Sequence, residues 1–463
     1  MQEETNGKDR DSEELFLAQR LAEYSEDALR CSQIDPGLYT KYEVKRGLRD
    51  ISGKGVLAGL TEISEVLAYV MEDEDLVPCE GRLFYRGYDI RDLVRGFLHA
   101  GRFGFEEITF LLLFGHLPTA AEYADFRRVL ASYMNLPEIF LRDTIMTAPG
   151  HDMMNQLAMS VLALYTYDEK AEDISVPNVL RQCLQLIARF PILMVHGFHS
   201  YAYYYNRQSL IIHPPEPELS MAENILHMLR PDSVFSPLEA KILDIALVLH
   251  AEHGGGNNSS FTNHVVTSSG TDTYSAMTAS LCSLKGPRHG GANIKVVRMF
   301  EDMKHTVKDW NDDEEISAYI ERILNKEAFD KSGLVYGIGH AVYSLSDPRA
   351  LIFRAFVEEL AREKHAEDEY RLYFKVEELA PKVISKYRKM YKGVSANIDF
   401  YSGFVYKMLN LPQELFTPIF AASRMAGWSA HRIEELSNNG KIIRPAYKSV
   451  CRQRAYVPME ERN

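Results

Sequence analysis

The strongest constraint on this chain is its periodicity. From residue 89 onward, one stretch after another carries apolar residues at helical spacing and ends at Gly, Pro, Asn or Asp. The spacing predicts helices over 89–100, 105–114, 120–134, 153–167, 176–205, 221–229, 237–252 and 273–284. A second cluster runs from 292 to about 408, including 311–322, 350–362 and 380–390, and an apolar helix over 415–437 follows. Pro191 should kink or split the stretch 176–205. Residues 13–31 read as one more amphipathic helix, with Ser12 as its N-cap. Only 53–90 differs. GVLAGLTEIS (55–64) and GRLFYRGYDI (81–90) are short, β-branched or aromatic, and broken by Gly and Asp, which predicts two or three short antiparallel strands. The expected fold class is all-α, mainly helical, with a small N-terminal antiparallel β element. The 463 residues are enough for two or three domains and a large core.

Several functional classes are disfavoured. No apolar run approaches the ~20 residues that span a bilayer, so no membrane partner is expected. The polar, acidic start MQEETNGKDRDSEE has neither the apolar core of a secretory signal nor the Arg-rich pattern of a transit peptide. A cytoplasmic location is expected. The five cysteines, Cys31, Cys79, Cys183, Cys282 and Cys451, are scattered without a CxxC. They are expected to be small buried hydrophobes rather than disulfide or zinc partners. A net charge of −13 repels nucleic acid unless a basic patch forms. Lys382, Lys386, Arg388, Lys389 and Lys392 share a stretch with Glu377 and Glu378, and read as a solvated helix face. The glycine-rich segments GPRHGGAN and YGIGHAVY match neither a P-loop nor a dinucleotide fingerprint.

Candidate chemistry lies in separated glycine-rich segments. In LHAEHGGGNNSS (249–260), His250 and His253 are three residues apart at a helix end. No supporting carboxylate or cysteine spacing accompanies them, so no metal ligation is expected. The better reading has a Gly-Gly-Gly loop letting Asn257 and the backbone approach a ligand while His253 points into a cleft. His289 lies in GPRHGGAN (286–293), flanked by glycine. In GIGHAVYSLSDPRA (337–350), His340 follows Gly337 and Gly339, and Arg349 follows a Asp347-Pro348 helix start. NIDFYSG (397–403) places Asp399 beside Phe400, where a nearby apolar ring raises a carboxylate's basicity.

The order and spacing of LHAEH, KGPRHGGAN, GIGHAVYxxxDPRA, NIDFYSG, SRMAGWSAHRxEE and KIIRP resemble the citrate synthase family. The likeness extends to GxLxYRGYDIxDL (81–93) and FEEITFLLLFGHLPT (105–119), and so covers most of 53 to about 447. The resemblance implies a two-domain, nearly all-helical homodimer. Residues 53–290 plus 409–463 would form a large domain, 291–408 a small one closing over substrate, and 1–52 a helical extension.

The resemblance also implies the chemistry. The family joins acetyl-CoA to oxaloacetate with water, giving citrate and CoA. Asp399 would be the base, His289 a neutral imidazole donating to the thioester oxygen, and His340 the group on the oxaloacetate ketone. Asn257 and Ser259 would orient His289. Arg349, Arg424 and His253 would hold the dianion, with Arg444, in KIIRP, supplied across the dimer. Val335, Tyr336, Gly337, Ile338 and Gly339 would lie along CoA. Acetyl-CoA enters as a substrate, and no resident cofactor is implied. Two positions depart from the family's usual pattern: Ala341 in GHAVY and Ala446 in RPA stand where Arg is usual. They bear on CoA or acid affinity. The near alternative is 2-methylcitrate synthase, which uses propionyl-CoA with the same trio, a difference of one methyl group and ~1–3 kcal/mol. A non-catalytic paralogue would be expected to lose Asp399, a histidine or an arginine, and all are present.

Overall fold

The structure is a computed structural model that describes residues 2–49, 55–72, 75–147, 149–339, 342–343, 345–387, 393–438 and 440–462. Two compact units partition it, Met1–Ala58 and Gly59–Asn463. The first holds α1 (Gln2–Ser32) and the short α2 (Pro36–Lys41), which Asp35 caps by accepting the Gly37 N–H at 2.9 Å. The helix expected over 13–31 is therefore longer at its N-terminal end. From Leu15 onward its apolar side chains, Phe16 and Leu21 among them, are exposed.

The second unit opens with a three-stranded antiparallel sheet in the order β1-β2-β3, formed by β1 (Ser64–Glu72), β2 (Asp75–Tyr85) and β3 (Tyr88–Asp89). Regular pairing begins only at Ser64, so the strand expected over 55–64 is misplaced. The better signal was the alternation in SEVLAYVME just after it. Arg86 and Gly87 join β2 to β3 with φ of 48° and 83°, the pair of positive values that a tight two-residue hairpin requires. This turn presents Tyr85, fully buried, toward the helical core.

Fifteen helices follow in the described residues: α3 (Ile90–His99), α4 (Phe105–Phe114), α5 (Ala120–Ser132), α6 (Met153–Ala163), α7 (Val176–Asn206), α8 (Met221–Leu229), α9 (Pro237–His250), α10 (Asn258–Thr267), α11 (Thr273–Lys285), α12 (Ala292–Thr306), α13 (Asp313–Leu324), α14 (Pro348–Glu363), α15 (Glu367–Tyr387), α16 (Ile398–Met408) and α17 (Phe416–Ser437). The centre is α7 against α17, two long helices whose residues are buried on nearly every side. Such all-round burial marks core helices. α7 runs through Pro191 as one helix rather than two, and α15 likewise contains Pro381, having been expected only from residue 380. In both cases packing along the helix outweighs the lost backbone bond. No helix is expected from the periodicity between 252 and 273, yet α10 lies there. Asn257 starts it by accepting the Ser259 N–H at 3.3 Å.

The described residues contain no helix long and apolar enough to cross a membrane. Lys382 and Lys386 lie on α15, whereas Arg388, Lys389 and Lys392 fall outside the described residues. The cysteine reading needs correction: only Cys183 is buried, with its thiol pushed up to about 11 by burial, while Cys31, Cys282 and Cys451 are exposed and Cys79 is half-buried. Exposure follows their places on α1, on the outer side of α11 and in the C-terminal coil.

α17 approaches the end of α9 through Gly427. A Cβ on Gly427 would lie 2.4 Å from the Ala251 carbonyl oxygen and 2.3 Å from a Glu252 carboxylate oxygen. Backbone stands in the way, so a side-chain shift cannot relieve the clash. Gly427→Ala should lower stability by about 1–3 kcal/mol, as overpacking of a fixed core does. Denaturant unfolding measures this, and unchanged stability would mean that α17 has room to move.

Candidate active site

Three helix starts set the geometry. Asp347 caps α14, accepting the Arg349 N–H at 3.0 Å. The same carboxylate takes the Arg349 side chain through Nε at 3.0 Å and Nη2 at 2.7 Å, a bidentate pair that fixes the guanidinium. It also accepts the Ile398 N–H at 3.3 Å, which ties α14 to the start of α16.

Asn397 caps α16, accepting the Asp399 N–H at 2.9 Å. Its amide nitrogen donates to the Gly339 carbonyl at 2.8 Å, and its backbone N–H to the Gly337 carbonyl at 2.9 Å. Gly339 in turn donates to the Ser395 carbonyl at 2.7 Å, and Ile338 bridges Ala396. The Gly337–Gly339 loop is thus stitched to the segment that carries Asp399. Gly337 must be glycine here: its φ is +79°, and a Cβ would lie 2.9 Å from the Phe400 Cα. His340 and Ala341 fall outside the described residues. Val335 is buried in the same segment, and the Tyr336 hydroxyl donates to Asp330 at 2.6 Å.

The third start is α10. Ser259, fully buried, donates from Oγ to Asn257 Oδ1 at 2.9 Å. The same oxygen accepts the Trp428 indole N–H at 3.2 Å and lies 3.1 Å from His289 Nε2. His289 thus meets a hydroxyl on α10 that is itself fixed by Asn257 and by Trp428 of α17.

Arg424 dominates the electrostatics. It is fully buried on α17, and its Nε donates to the His250 carbonyl at 2.7 Å. Neither Nη1 nor Nη2 has a hydrogen-bond partner among the described residues. Burial lowers its pKa to about 10, so it keeps its charge at neutral pH. That charge acts on His289, Asp399, His250 and Glu252. Burial, helped by Arg424, lowers His289 to about 4, which makes it a neutral imidazole. Burial raises Asp399 to about 6, against the pull of Arg349 and Arg424. Desolvation would raise Glu252 as well, but His431 and Arg424 bring it down to about 2.

His289, Asp399, Arg349 and Arg424 thus share one electrostatic neighbourhood. His253 joins them through Tyr343: its Nε2 lies 3.2 Å from the Tyr343 hydroxyl, and the Arg349 guanidinium lies 5.9 Å from that ring. The two arginines differ in state. Arg349 is already paired with Asp347, whereas the Arg424 fork has no hydrogen-bond partner among the described residues. Arg444 is apart from this cluster, exposed in the coil after α17.

Three contributors have roles that the sequence patterns did not assign: His250, weighed there only as a metal ligand, Trp428 and Tyr85. His250 is fully buried against Phe420, ring centroids 4.3 Å apart, and neither ring nitrogen has a hydrogen-bond partner among the described residues. Trp428 anchors Ser259. The Tyr85 hydroxyl lies 3.1 and 3.0 Å from the carbonyl oxygens of Val248 and Glu252 and pins the end of α9. One of only two tryptophans in the chain, in an otherwise small-residue helix, was the available signal.

The profile described as "Citrate synthase, C-terminal domain" matches residues 49–446. This chain belongs to the citrate synthase family. It is therefore an acyl-transfer enzyme by kinship. A citrate synthase of Synechocystis is 35% identical over 83% of this chain and 89% of its own length. The 2-methylcitrate synthase 2 of Corynebacterium glutamicum is 32% identical over 91% and 99%. Among solved structures, the citrate synthase of Thermoplasma acidophilum, a ternary complex with carboxymethyl coenzyme A and oxaloacetate, superposes with a TM-score of 0.71 at 26% identity, covering 90% of this chain and 99% of that one. The mainly helical fold expected for the family is the one observed.

The charge states predict a pH profile. A base must be ionised to act, and Asp399 ionises above about 6. His289 is neutral above about 4, so it adds no acid limb in that range. If Asp399 serves as the base, kcat/KM should fall ~tenfold per pH unit below its value. A profile flat to pH 5 would remove Asp399 from the base role.

Proposed function

We propose that this protein is a citrate synthase, condensing acetyl-CoA with oxaloacetate and water to give citrate and CoA. The observation that carries the reading is Arg424: a fully buried cation whose two terminal nitrogens lack partners among the described residues, beside a raised Asp399 and a neutral His289. A buried unpaired charge is costly and calls for an anion. A planar dicarboxylate matches a guanidinium fork.

In this reading Asp399 takes a proton from the thioester methyl group, and His289 donates to the developing enolate oxygen. A methyl group beside a thioester is a weak acid, so base and donor must act together, and a preorganised donor is worth ~10²–10³ in rate. The enolate carbon attacks the ketone of oxaloacetate. His340 gives its proton to the new alkoxide, and water then cleaves the thioester to release CoA thiol. Arg424, Arg349 and His253 hold the dianion, and the loop of Val335, Tyr336, Gly337, Ile338 and Gly339 lies along CoA. No resident cofactor is needed. Residues 291–408 act as a small domain closing on the rest, in a cytoplasmic homodimer. Arg444, exposed on its own chain, serves the second subunit's site.

Purified protein should release thiol from acetyl-CoA only when oxaloacetate is present. Propionyl-CoA run alongside tests 2-methylcitrate synthesis, which the Corynebacterium relative and Ala341 keep in view. No release from either ester would exclude the reaction. Asp399→Asn should lose ~10²–10⁴ in kcat while still binding oxaloacetate. Co-expressing Asp399→Asn with Arg444→Ala tests the shared site. If Arg444 acts across the dimer, roughly a quarter of wild-type activity returns in the mixture of symmetric and mixed dimers. If it acts within its own chain, none does.

A further inference from the structure

Away from the catalytic cluster, α10 and α17 bring two histidines and a glutamate together. His264 lies on α10. His431 and Glu434, three residues apart, share one face of α17. His264 Nε2 is 3.1 Å from His431 Nδ1, and His431 Nδ1 is 3.9 Å from Glu434 Oε2. All three donor atoms fall within 4.8 Å of one another.

The other nitrogen of each ring is already engaged by a carboxylate. His264 Nδ1 is 2.8 Å from Glu435 Oε2, and His431 Nε2 is 3.0 Å from Glu252 Oε1. A carboxylate fixes the N–H of a neutral imidazole on the side that faces it, as in carboxylate–histidine–metal arrangements. Both rings then turn bare lone pairs toward each other. Glu434 Oε2 adds a third: it is buried and has no hydrogen-bond partner among the described residues, while Oε1 is held by the Glu62 N–H at 2.8 Å. Three acceptors converge with no fixed donor between them, and a cation satisfies all three at once. The spacing suits one. An ion with ~2.0–2.1 Å bonds in tetrahedral geometry sets its ligand atoms ~3.3–3.5 Å apart, so the rings need little adjustment and the Glu434 side chain moves inward to complete the set. Gly255 lies over both rings, and a Cβ there would sit 3.3 Å from the His431 Cε1 and 3.4 Å from His264 Nε2. Beside the group is a cavity of about 660 Å³, bordered by Leu60, Thr61 and Asn438, which gives an entry path and room for a water as fourth ligand.

We propose that His264, His431 and Glu434 form a three-ligand site for a borderline divalent transition ion of the Zn²⁺ class, clamping α10 to α17. Two imidazoles and one carboxylate disfavour Mg²⁺ and Ca²⁺, which want oxygen, and there is no thiolate to select Cu(I). Glu435 and Glu252 are positioning groups that orient the two rings.

Full-length protein, stripped with a chelator, should bind one Co²⁺ per chain with visible d–d bands of tetrahedral intensity, displaced by added Zn²⁺. Calorimetry should give the same stoichiometry for Zn²⁺. Glu435→Gln keeps all three ligands and should weaken Zn²⁺ binding by ~10–100-fold. His264→Asn should abolish the Co²⁺ bands with the helical circular dichroism unchanged, and Glu434→Gln serves as the ligand variant if His264→Asn does not fold. Absence of ion binding by the wild type, or binding unaltered in the ligand variant, would overturn the proposal. The first result would mean that a shared proton holds the two rings.

Discussion

The structure is organised around one buried positive charge. Arg424 lies in the interior of α17 with no carboxylate hydrogen-bonded to it among the described residues. An uncompensated interior charge is among the most expensive features a fold can carry. Its neighbours share the load. The His250 carbonyl accepts Nε, the Phe420 ring lies 4.7 Å from the guanidinium, and the ionised Glu252 offsets its charge from a distance. What remains without a partner among the described residues is the buried terminal fork, which is the part an anion would use. Burial keeps His289 neutral and raises Asp399; the Arg424 charge adds to the first effect and, after Arg349, opposes the second.

Holding that charge needs a rigid frame, and the frame explains several remote features. α7 and α17 form the buried spine. The β2–β3 hairpin sends Tyr85 down to the end of α9, beside Glu252. Gly427 lets α17 come close enough for Arg424 to reach the His250 carbonyl. The small sheet is therefore a brace for the turn that delivers His250, Glu252 and His253.

Much of this was legible in the sequence. Long helical periods gave the fold class, and glycine-flanked His289 and the Asn-Ile-Asp start of α16 marked the polar cluster. The boundaries that failed did so for physical reasons. Proline penalties at 191 and 381 were overruled by burial along the whole helix. The run of Asn and Ser at 257–260 looked like loop because the residues that cap a helix are those that favour turns. The pattern at 249–253 shows His250 beside His253, but not that its carbonyl and its burial are what matter. Trp428 and Glu252 act through partners nearly 170 or more positions away, which no local pattern reveals.

Ser259 repays a count of hydrogens. Its oxygen touches Trp428, Asn257 and His289, yet it owns a single proton. Trp428 can only donate and Asn257 Oδ1 can only accept. If the hydroxyl proton goes to Asn257, His289 must carry its own hydrogen on Nε2, and Nδ1 is left bare. If it rotates to His289, Nε2 becomes the acceptor and Nδ1 carries the hydrogen that a ligand oxygen needs. Asn257 still has the Ser259 backbone N–H in the second state. One hydroxyl rotation, guarded by an indole that never changes sides, therefore selects whether His289 is an acceptor or a donor.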